Sequence, residues 1–194
     1  ELARELTLSV KSRLIADFPV AVLYSGGIDS NLIRQVVGKD ANYFTGGVLG
    51  HKSFDIDSAR KKGEAIRIIE PSEKEFLDRW HDMVSLRKEP LSVPNEVIIS
   101  FLGDAWAEHG GKVLLSGEGA DEFFGGYDNL FTWGMEQTNF CPEGFLKRYA
   151  YTELESIPEF ILERCTHYFS EIANLTPFEM VRVFFIEKHM PVLF

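Results

Sequence analysis

The chain has 194 residues, of which 45% are apolar and 26% charged, and its formal net charge is −10. This length allows one domain with a sizeable core, and the composition is that of an ordinary globular protein. An acidic chain is poorly suited to broad contact with a phosphate backbone, so the charge argues against nucleic acid as the main partner.

No apolar run approaches 18 residues, so we expect neither a membrane-spanning helix nor membrane attachment. The only cysteines, Cys141 and Cys165, lack CxxC or zinc-site spacing, which is typical of reduced thiols in a cytoplasmic protein. The chain begins at Glu1 without Met and stops in the apolar stretch 190–194. These ends predict a fragment, truncated at its C-terminus.

Apolar periodicity and turn residues predict an alternation of strands and helices. Leu2, Leu6, Val10 and Leu14 recur every four residues and predict a helix over 2–16. In chain order, the further predicted elements are a strand at 20–24, a helix at 29–37, a strand at 43–45, a helix at 55–64, a strand at 66–69, a helix from the capping box at 72–75 to about 86, a helix at 95–109, a strand at 113–115, and helices at 143–153, 157–169 and 176–188.

This alternation predicts the α/β class, with a parallel sheet covered by helices on both faces and a helical C-terminal segment. The first and fourth strands would lie side by side, with the other two strands to one side. Ligands bind such sheets at the carboxyl ends of the strands, where the strand order reverses. We expect one domain over 1–194, built from an α/β nucleotide-binding core at 1–130 and a helical segment at 131–194.

The first strand runs into the loop Ser25-Gly-Gly-Ile-Asp-Ser30. Gly26 and Gly27 allow the backbone to approach a ligand, and the following helix N-terminus favours an anion such as a phosphate. Asp29 has no reason to face a phosphate directly, so a magnesium ion between them is the natural account. The alternative is a simple strand-to-helix turn in which Asp29 or Ser30 caps the helix.

The fourth strand runs into a second glycine-rich loop, Ser116 to Tyr127. Its carboxylates suit magnesium binding at Asp121 and proton acceptance at Glu118. The alternative is a solvated acidic loop, and for Glu122 we favour a role as a helix N-terminal charge. The five histidines show no metal spacing and are interpreted as structural or exposed.

Both loops resemble those of a known family. Residues 25–30 resemble the pyrophosphate loop of the N-type ATP pyrophosphatases, whose fold is of the adenine nucleotide alpha hydrolase type. Residues 116–127, Ser-Gly-Glu-Gly-Ala-Asp-Glu-Phe-Phe-Gly-Gly-Tyr, resemble the second motif of the synthetase domain of the glutamine-dependent asparagine synthetases. Ile28 replaces the commoner Leu, and Tyr24 stands where a smaller apolar residue is usual.

The resemblance implies a role for each site residue. Glu118 would assist the attack of ammonia, and Asp29 and Asp121 would hold Mg²⁺. The residues that would bind the ATP phosphates and the released pyrophosphate are Ser25, Gly26, Gly27, Asp29 and Ser30. The residues that would line the nucleoside pocket are Tyr24, Thr45, Ser116 and Gly117.

The reaction that the resemblance implies begins with adenylation of a substrate carboxylate by ATP, with release of pyrophosphate. Ammonia then displaces AMP and leaves an amide, with asparagine from aspartate as the expected product. The segment Glu89 to Glu96 resembles a segment of family members that amidate sugar uronic acids of surface polysaccharides. A sugar uronic acid as the acceptor, in place of aspartate, is therefore one alternative. A truncated module that binds ATP without full catalysis is another. The net charge and the second motif argue against a third, a tRNA-modifying ATP pyrophosphatase.

The expected partners are small molecules, namely ATP, a carboxylic acid acceptor and ammonia. The family's glutaminase domain, with its N-terminal cysteine nucleophile, is expected to lie outside this chain. The same holds for the C-terminal lysine that contacts pyrophosphate. The acceptor, the nitrogen source and the oligomeric state are left open by the sequence.

Overall fold

The computed structural model of the protein describes residues 1–62, 66–150 and 153–193. It divides into two compact units, residues 1–117 and residues 118–194. The predicted organisation, a single synthetase domain with a core to residue 130, stays a prediction.

The first unit alternates strands and helices, as predicted. Its elements are α1 (Leu2–Arg13), β1 (Val20–Leu23), α2 (Ile28–Val37), β2 (Asn42–Gly46), α3 (Phe54–Lys62), β3 (Ile66–Ile69), α4 (Glu73–Arg87), α5 (Asn95–Ala107) and β4 (Val113–Leu115). The capping box that opens α4 is confirmed, because the Ser72 and Glu75 side chains each accept the other residue's backbone N–H. Helix α1 ends before its predicted end at 16. The predicted end of α3 at 64 lies outside the described residues.

The four strands form one parallel sheet in the order β3-β2-β1-β4. Strand β1 is central, with Ala21 opposite Asn42 of β2 on one side and Leu114 of β4 on the other. This confirms the prediction that the first and fourth strands are neighbours. The carboxyl ends of β1 and β4, which carry the two glycine-rich motifs, therefore lie next to each other.

Helices cover both faces of this sheet. On one face, Ala21 and Phe44 pack with Trp106 of α5, and all three are almost fully buried. On the other face, Val22 packs with Ala59 of α3 and with partly buried residues of α2. Side chains that alternate along a strand point to opposite faces, so these two clusters are the two layers of the predicted α/β core.

The second unit is helical. Its elements are α6 (Ala120–Phe124), α7 (Asp128–Glu136), α8 (Pro142–Tyr149), α9 (Glu159–Glu171), α10 (Pro177–Phe184), a π-helical turn (Phe185–His189) and α11 (Met190–Leu193). Helix α8 ends at Tyr149. Of the residues beyond it that were also predicted to be helical, 151–152 lie outside the described part of the chain, and Glu153 is not helical. The sequence patterns missed α6 and α7. Glycine-rich segments surround α6, so that region shows no long apolar period.

Aromatic side chains fill the core of the second unit. The Phe145 and Phe169 rings lie 5.1 Å apart edge to face, and the Phe131 and Phe185 rings stack at 5.5 Å. Such pairs add to the free energy gained from burial. This core accounts for part of the high phenylalanine content of the chain. Within the described residues, the structure has no helix with the length and apolarity needed to span a bilayer.

Candidate active site

The loop between β1 and α2 presents backbone N–H groups at the N-terminus of a ten-residue helix. Gly27 is the N-cap residue and has no side chain with which to cap the helix. The N–H of Asn31 donates to the Gly27 carbonyl at 3.1 Å, which is the first α-helical bond. The N–H groups of residues 28–30 precede that bond and, together with the helix dipole, suit an anion.

Two serine hydroxyls brace this loop. The Ser25 Oγ donates to the Ser30 Oγ at 3.2 Å, and the Ser30 Oγ donates to the Gly27 carbonyl at 3.2 Å. The Gly27 N–H in turn donates to the Ser25 Oγ at 3.4 Å. Ser30 is buried, whereas Ser25 is exposed. Ser30 therefore supports the turn from inside, and Ser25 is the member of the pair that solvent or a ligand reaches.

Steric constraints require glycine at the first glycine position of the loop, residue 26. Gly26 has a φ of +78°, in the region that disfavours side chains, and a Cβ there would lie 2.1 Å from the Ser58 Oγ of α3. The backbone of the loop passes this close to α3 only because residue 26 lacks a side chain. This packing against α3 explains why residue 26 is glycine, and the role of the turn in binding an anion stays a prediction.

The carboxyl end of β4 meets the loop at Asp29. A Cβ on Gly117 would lie 2.9 Å from the Asp29 Cβ and 3.5 Å from the Ser30 nitrogen. The family resemblance implies that Ser116 and Gly117 line a nucleoside pocket, and this role stays a prediction. The structure brings Gly117 against that loop within the first unit.

The two remaining predicted nucleotide-pocket residues, Tyr24 and Thr45, are both buried, each with 2% of its surface exposed. The Tyr24 N–H donates to the Phe44 carbonyl at 2.8 Å, which continues the pairing of β1 with β2 by one residue. The Tyr24 hydroxyl donates to the Asn31 Oδ1 at 3.3 Å. The Tyr24 side chain thus supports the loop through its hydrogen bond to Asn31. Its predicted contact with a nucleoside stays a prediction.

Asn31 is a site residue that the sequence analysis missed. Its Nδ2 donates to the carbonyls of Gly26 and Gly27, at 2.9 and 2.8 Å, and its Oδ1 accepts from the Lys62 Nζ at 2.8 Å. The signal was its position directly after the Ser25–Ser30 motif. A polar residue in the first turn of a helix is ordinary, however, and Lys62 is distant in sequence.

In the second unit, the predicted catalytic residues lie on or next to the short helix α6. Its N-cap, Gly119, has a φ of +89°, and Asp121 lies in its first turn. The N–H groups of Gly125 and Gly126 both donate to the Asp121 carbonyl at 2.9 Å. A Cβ on Gly126 would lie 1.7 Å from the Asp121 Oδ1, so the absence of a side chain at 126 makes room for this carboxylate.

The pKa of the Glu118 carboxyl is raised above its usual range. Partial burial of the carboxyl group is the main cause, followed by the negative charges of Glu122 and Asp121. Glu118 as a residue is exposed, so water screens the effect of the neighbouring charges on its carboxyl group. A raised pKa makes a carboxylate a better proton acceptor near neutral pH, which suits the role predicted for Glu118.

The interpretation of Glu122 as a solvated charge is wrong, because the residue is only 1% exposed, although it does lie in the first turn of α6. The Tyr127 hydroxyl donates to its Oε1 at 2.7 Å, and the His189 Nε2 lies 3.7 Å from the same oxygen. The His189 Nδ1 shares a 2.7 Å hydrogen bond with the Tyr149 hydroxyl. A buried carboxylate needs such partners. Tyr127 lies near Glu122 in the sequence, whereas His189 comes from far along the chain.

Among the described residues, no three His, Cys, Asp or Glu side chains are grouped closely enough to hold a metal ion. A magnesium ion that is held by one or two carboxylates and by substrate phosphates needs no such group. The oxygen donors of Asp29 and Asp121 suit magnesium. These two residues belong to different units, and their joint binding of one ion stays a prediction.

The sequence was also compared with known proteins. The sequence profile of the family described as asparagine synthase matches residues 1–176, which include both motifs and the whole sheet. The chain belongs to the asparagine synthase family. The four-stranded parallel sheet with helices on both faces agrees with the synthetase fold predicted from the two loops.

Curated relatives from bacteria and fungi are similar to this chain. A putative glutamine-hydrolysing asparagine synthetase of Mycobacterium tuberculosis is 35% identical over 136 residues, and glutamine-hydrolysing asparagine synthetase 1 of Bacillus subtilis is 31% identical over 129. A protein of Penicillium rubens named amidase chyE is 35% identical over 150 residues. These alignments cover 66%, 62% and 64% of the chain, respectively, but only 20%, 20% and 22% of the relatives.

Proposed function

We propose that this asparagine synthase chain takes part in ATP-dependent amide synthesis, through adenylation of a carboxylate and its capture by ammonia. One observation carries the proposal. The N-terminus of α2 offers unpaired backbone donors in a turn where Gly26 is required, and Asp29 stands directly beside them. This combination suits a polyphosphate and the cation that accompanies it.

In the first step, a substrate carboxylate attacks the α-phosphorus of ATP, and pyrophosphate leaves. The loop N–H groups and the Ser25 hydroxyl bind the departing pyrophosphate and stabilise its growing charge. Asp29 and Asp121 would hold magnesium, which when bound offsets the negative charge of the phosphates. The product of this step is an acyl-adenylate, in which AMP is the leaving group that a free carboxylate lacks.

In the second step, ammonia attacks the activated carbonyl carbon, and AMP leaves with the C–O bond electrons. The attacking nitrogen must lose a proton as the amide forms. Glu118 suits this transfer because its raised pKa places its proton affinity nearer to the working pH. The ammonia is expected from a glutaminase domain or subunit, or from free ammonium.

The acceptor is proposed to be aspartate, with asparagine as the product. Relatives named asparagine synthetase support this choice. Relatives from two fungi are named amidases, and this name favours a different carboxylic acid or amide at the same site as a second candidate. Because the aligned region is only about a fifth of each relative's length, the complete reaction is a proposal for the whole protein.

The test is AMP release from magnesium ATP and an ammonium salt, measured with aspartate, with a sugar uronic acid and with no acceptor. AMP that forms only with one acceptor supports an amide ligase and identifies its substrate class. Asp29→Asn is expected to stop this turnover, whereas Asp17→Asn, an exposed carboxylate before β1, serves as the matched control. ATP binding without AMP formation for any acceptor would contradict the reaction and leave only a nucleotide-binding function.

A further inference from the structure

Both carbonyl groups of the glycine turn accept hydrogen bonds from one amide side chain, and the Gly27 carbonyl also accepts from the Ser30 Oγ. The Asn31 Nδ2 donates to the Gly26 carbonyl at 2.9 Å and to the Gly27 carbonyl at 2.8 Å. A peptide plane carries its N–H opposite its C=O. Fixing these two carbonyls toward Asn31 therefore also fixes the direction of the N–H groups that follow them, on Gly27 and Ile28.

The orientation of the Asn31 amide follows from the chemistry of its neighbours. Its Oδ1 faces the Lys62 ammonium at 2.8 Å, which has only donors, and it also accepts from the Tyr24 hydroxyl at 3.3 Å. Its Nδ2 faces two backbone carbonyls, which have only acceptors. A flipped amide would place acceptor against acceptor and donor against donor, so the observed orientation is the only satisfied one.

The supports of Asn31 come from two different elements. Tyr24 follows β1 and is buried, and Lys62 ends α3 with its ammonium 5.9 Å from the centre of the Tyr24 ring. The Lys62 side chain is exposed, so it is the solvent-facing partner of Asn31, whereas Tyr24 is the buried one. The amide group of Asn31 in α2 thus connects the end of β1, the Gly26–Gly27 turn and the end of α3.

We propose that Asn31 is a positioning residue of this site, which holds the Gly26–Gly27 turn in its anion-binding conformation and is itself oriented by Lys62 and Tyr24. The inference rests on the proposed function, since it assumes that the turn binds the phosphates of ATP and the pyrophosphate product. Asn31 acts through the backbone and does not touch the ligand. Its removal is therefore expected to affect polyphosphate binding more strongly than nucleoside binding, which Asn31 reaches only through the Tyr24 hydroxyl.

The experiment compares two ligands in the wild-type protein and in Asn31→Leu, which keeps the side-chain size and adds no charge. Magnesium pyrophosphate binding is measured by calorimetry, and adenosine binding by NMR titration. We expect the dissociation constant for magnesium pyrophosphate to rise by about tenfold or more, because two hydrogen bonds that hold the turn are lost. Adenosine affinity is expected to stay within about twofold, since Asn31 reaches the predicted nucleoside pocket only through its 3.3 Å hydrogen bond with the Tyr24 hydroxyl.

Gln35→Ala is the matched control, because Gln35 is an exposed amide one turn further along α2. It should leave both affinities unchanged. Lys62→Met provides a second route if Asn31→Leu fails to fold, as judged by its thermal unfolding. It removes the group that orients Asn31, so it should weaken magnesium pyrophosphate binding by a smaller factor and again spare adenosine.

Two results would overturn the inference. One is wild-type affinity for magnesium pyrophosphate in folded Asn31→Leu and in Lys62→Met, and the other is an equal loss of both ligands, as expected from general damage to the fold. Failure of the proposed function looks different. In that case the wild-type protein binds neither magnesium pyrophosphate nor magnesium ATP, and the inference falls with it.

Discussion

The two glycine-rich motifs of this chain present different chemical groups. The turn at 25–27 belongs to the first unit and offers backbone N–H groups, which hydroxyl and amide side chains hold in place from behind. The turn at 118–126 belongs to the second unit and offers carboxylates on a five-residue helix. In the proposed site, one motif would use the backbone as its functional group, and the other would use side chains.

Their supports differ accordingly. The first turn rests on a buried sheet and on a network close to the surface, where Lys62 is exposed. A helix as short as α6 is not stable alone in water, so the second turn depends on packing. That packing includes buried Glu122 and its partly buried partners Tyr127 and His189, next to an aromatic core. Backbone sites therefore respond most to glycine substitutions, and carboxylate sites to changes around their side chains.

The largest effect is expected for the carboxylate that the second motif contributes. Asp121→Asn keeps the shape of the side chain but removes the charge proposed to hold magnesium, so AMP formation should fall by more than about a hundredfold. Asp128→Asn, an exposed carboxylate at the start of α7, should leave the rate unchanged. Wild-type AMP release by Asp121→Asn would remove that residue from the proposed site.

The backbone nature of the first turn is tested by Gly26→Ala against Gly38→Ala. Both glycines have positive φ, at +78° and +97°, so both variants lose about 1 kcal/mol of stability or more. Only at position 26 does the new Cβ also meet Ser58, at 2.1 Å, whereas nothing lies within 4 Å at position 38. Magnesium pyrophosphate affinity should drop in Gly26→Ala alone. A similar affinity in both variants would show that the close approach to α3 is unimportant.

The second turn is tested by Gly126→Ala against Gly125→Ala. A Cβ at 126 would displace the Asp121 carboxylate, while one at 125 would only make ordinary contacts with Phe131 from 3.7 Å. We expect Gly126→Ala to lower kcat by about tenfold with little change in unfolding temperature. Gly125→Ala should lower the unfolding temperature instead, because Gly125 has a φ of +81°. The reverse pattern would contradict the position assigned to Asp121.

The smallest effect concerns His189, whose pKa is lowered by burial, partly opposed by the negative charge of Glu122. The unfolded chain then binds the proton more readily than the folded one. The free energy of unfolding should therefore fall as pH drops through about 6.5 toward the lowered pKa, and be regained above about 6.5. His189→Gln should flatten this part of the profile, as followed by urea unfolding at about pH 8 and about pH 5.5. Identical slopes in both proteins would exclude this histidine as the source.

The sheet was predictable because its strands are short apolar runs bounded by glycine and proline, and its helices have clear apolar periods. The pairing of the first and fourth strands followed from right-handed crossovers and agreed with the two motifs, since a shared ligand needs neighbouring strand ends. The details that failed depend on side-chain contacts that no local sequence pattern indicates. Glu122 has the sequence context of a solvated charge, and its burial follows from Tyr127 and His189. The role of Asn31 depends likewise on Lys62, which no local pattern connects to it.

The strand order also has a consequence for how the chain is made. Central strand β1 is the first strand of this sheet along the chain, but its partner β4 is the last, with Val20 paired to Val113. A nascent chain that has emerged only through β3 carries β1 with one unpaired, apolar edge, which is a surface prone to aggregation. Such long-range pairing slows folding. The close approach of Gly117 to Asp29 can form only after β4 has joined the sheet, so the loop proposed to bind phosphates is completed late in the folding of the first unit.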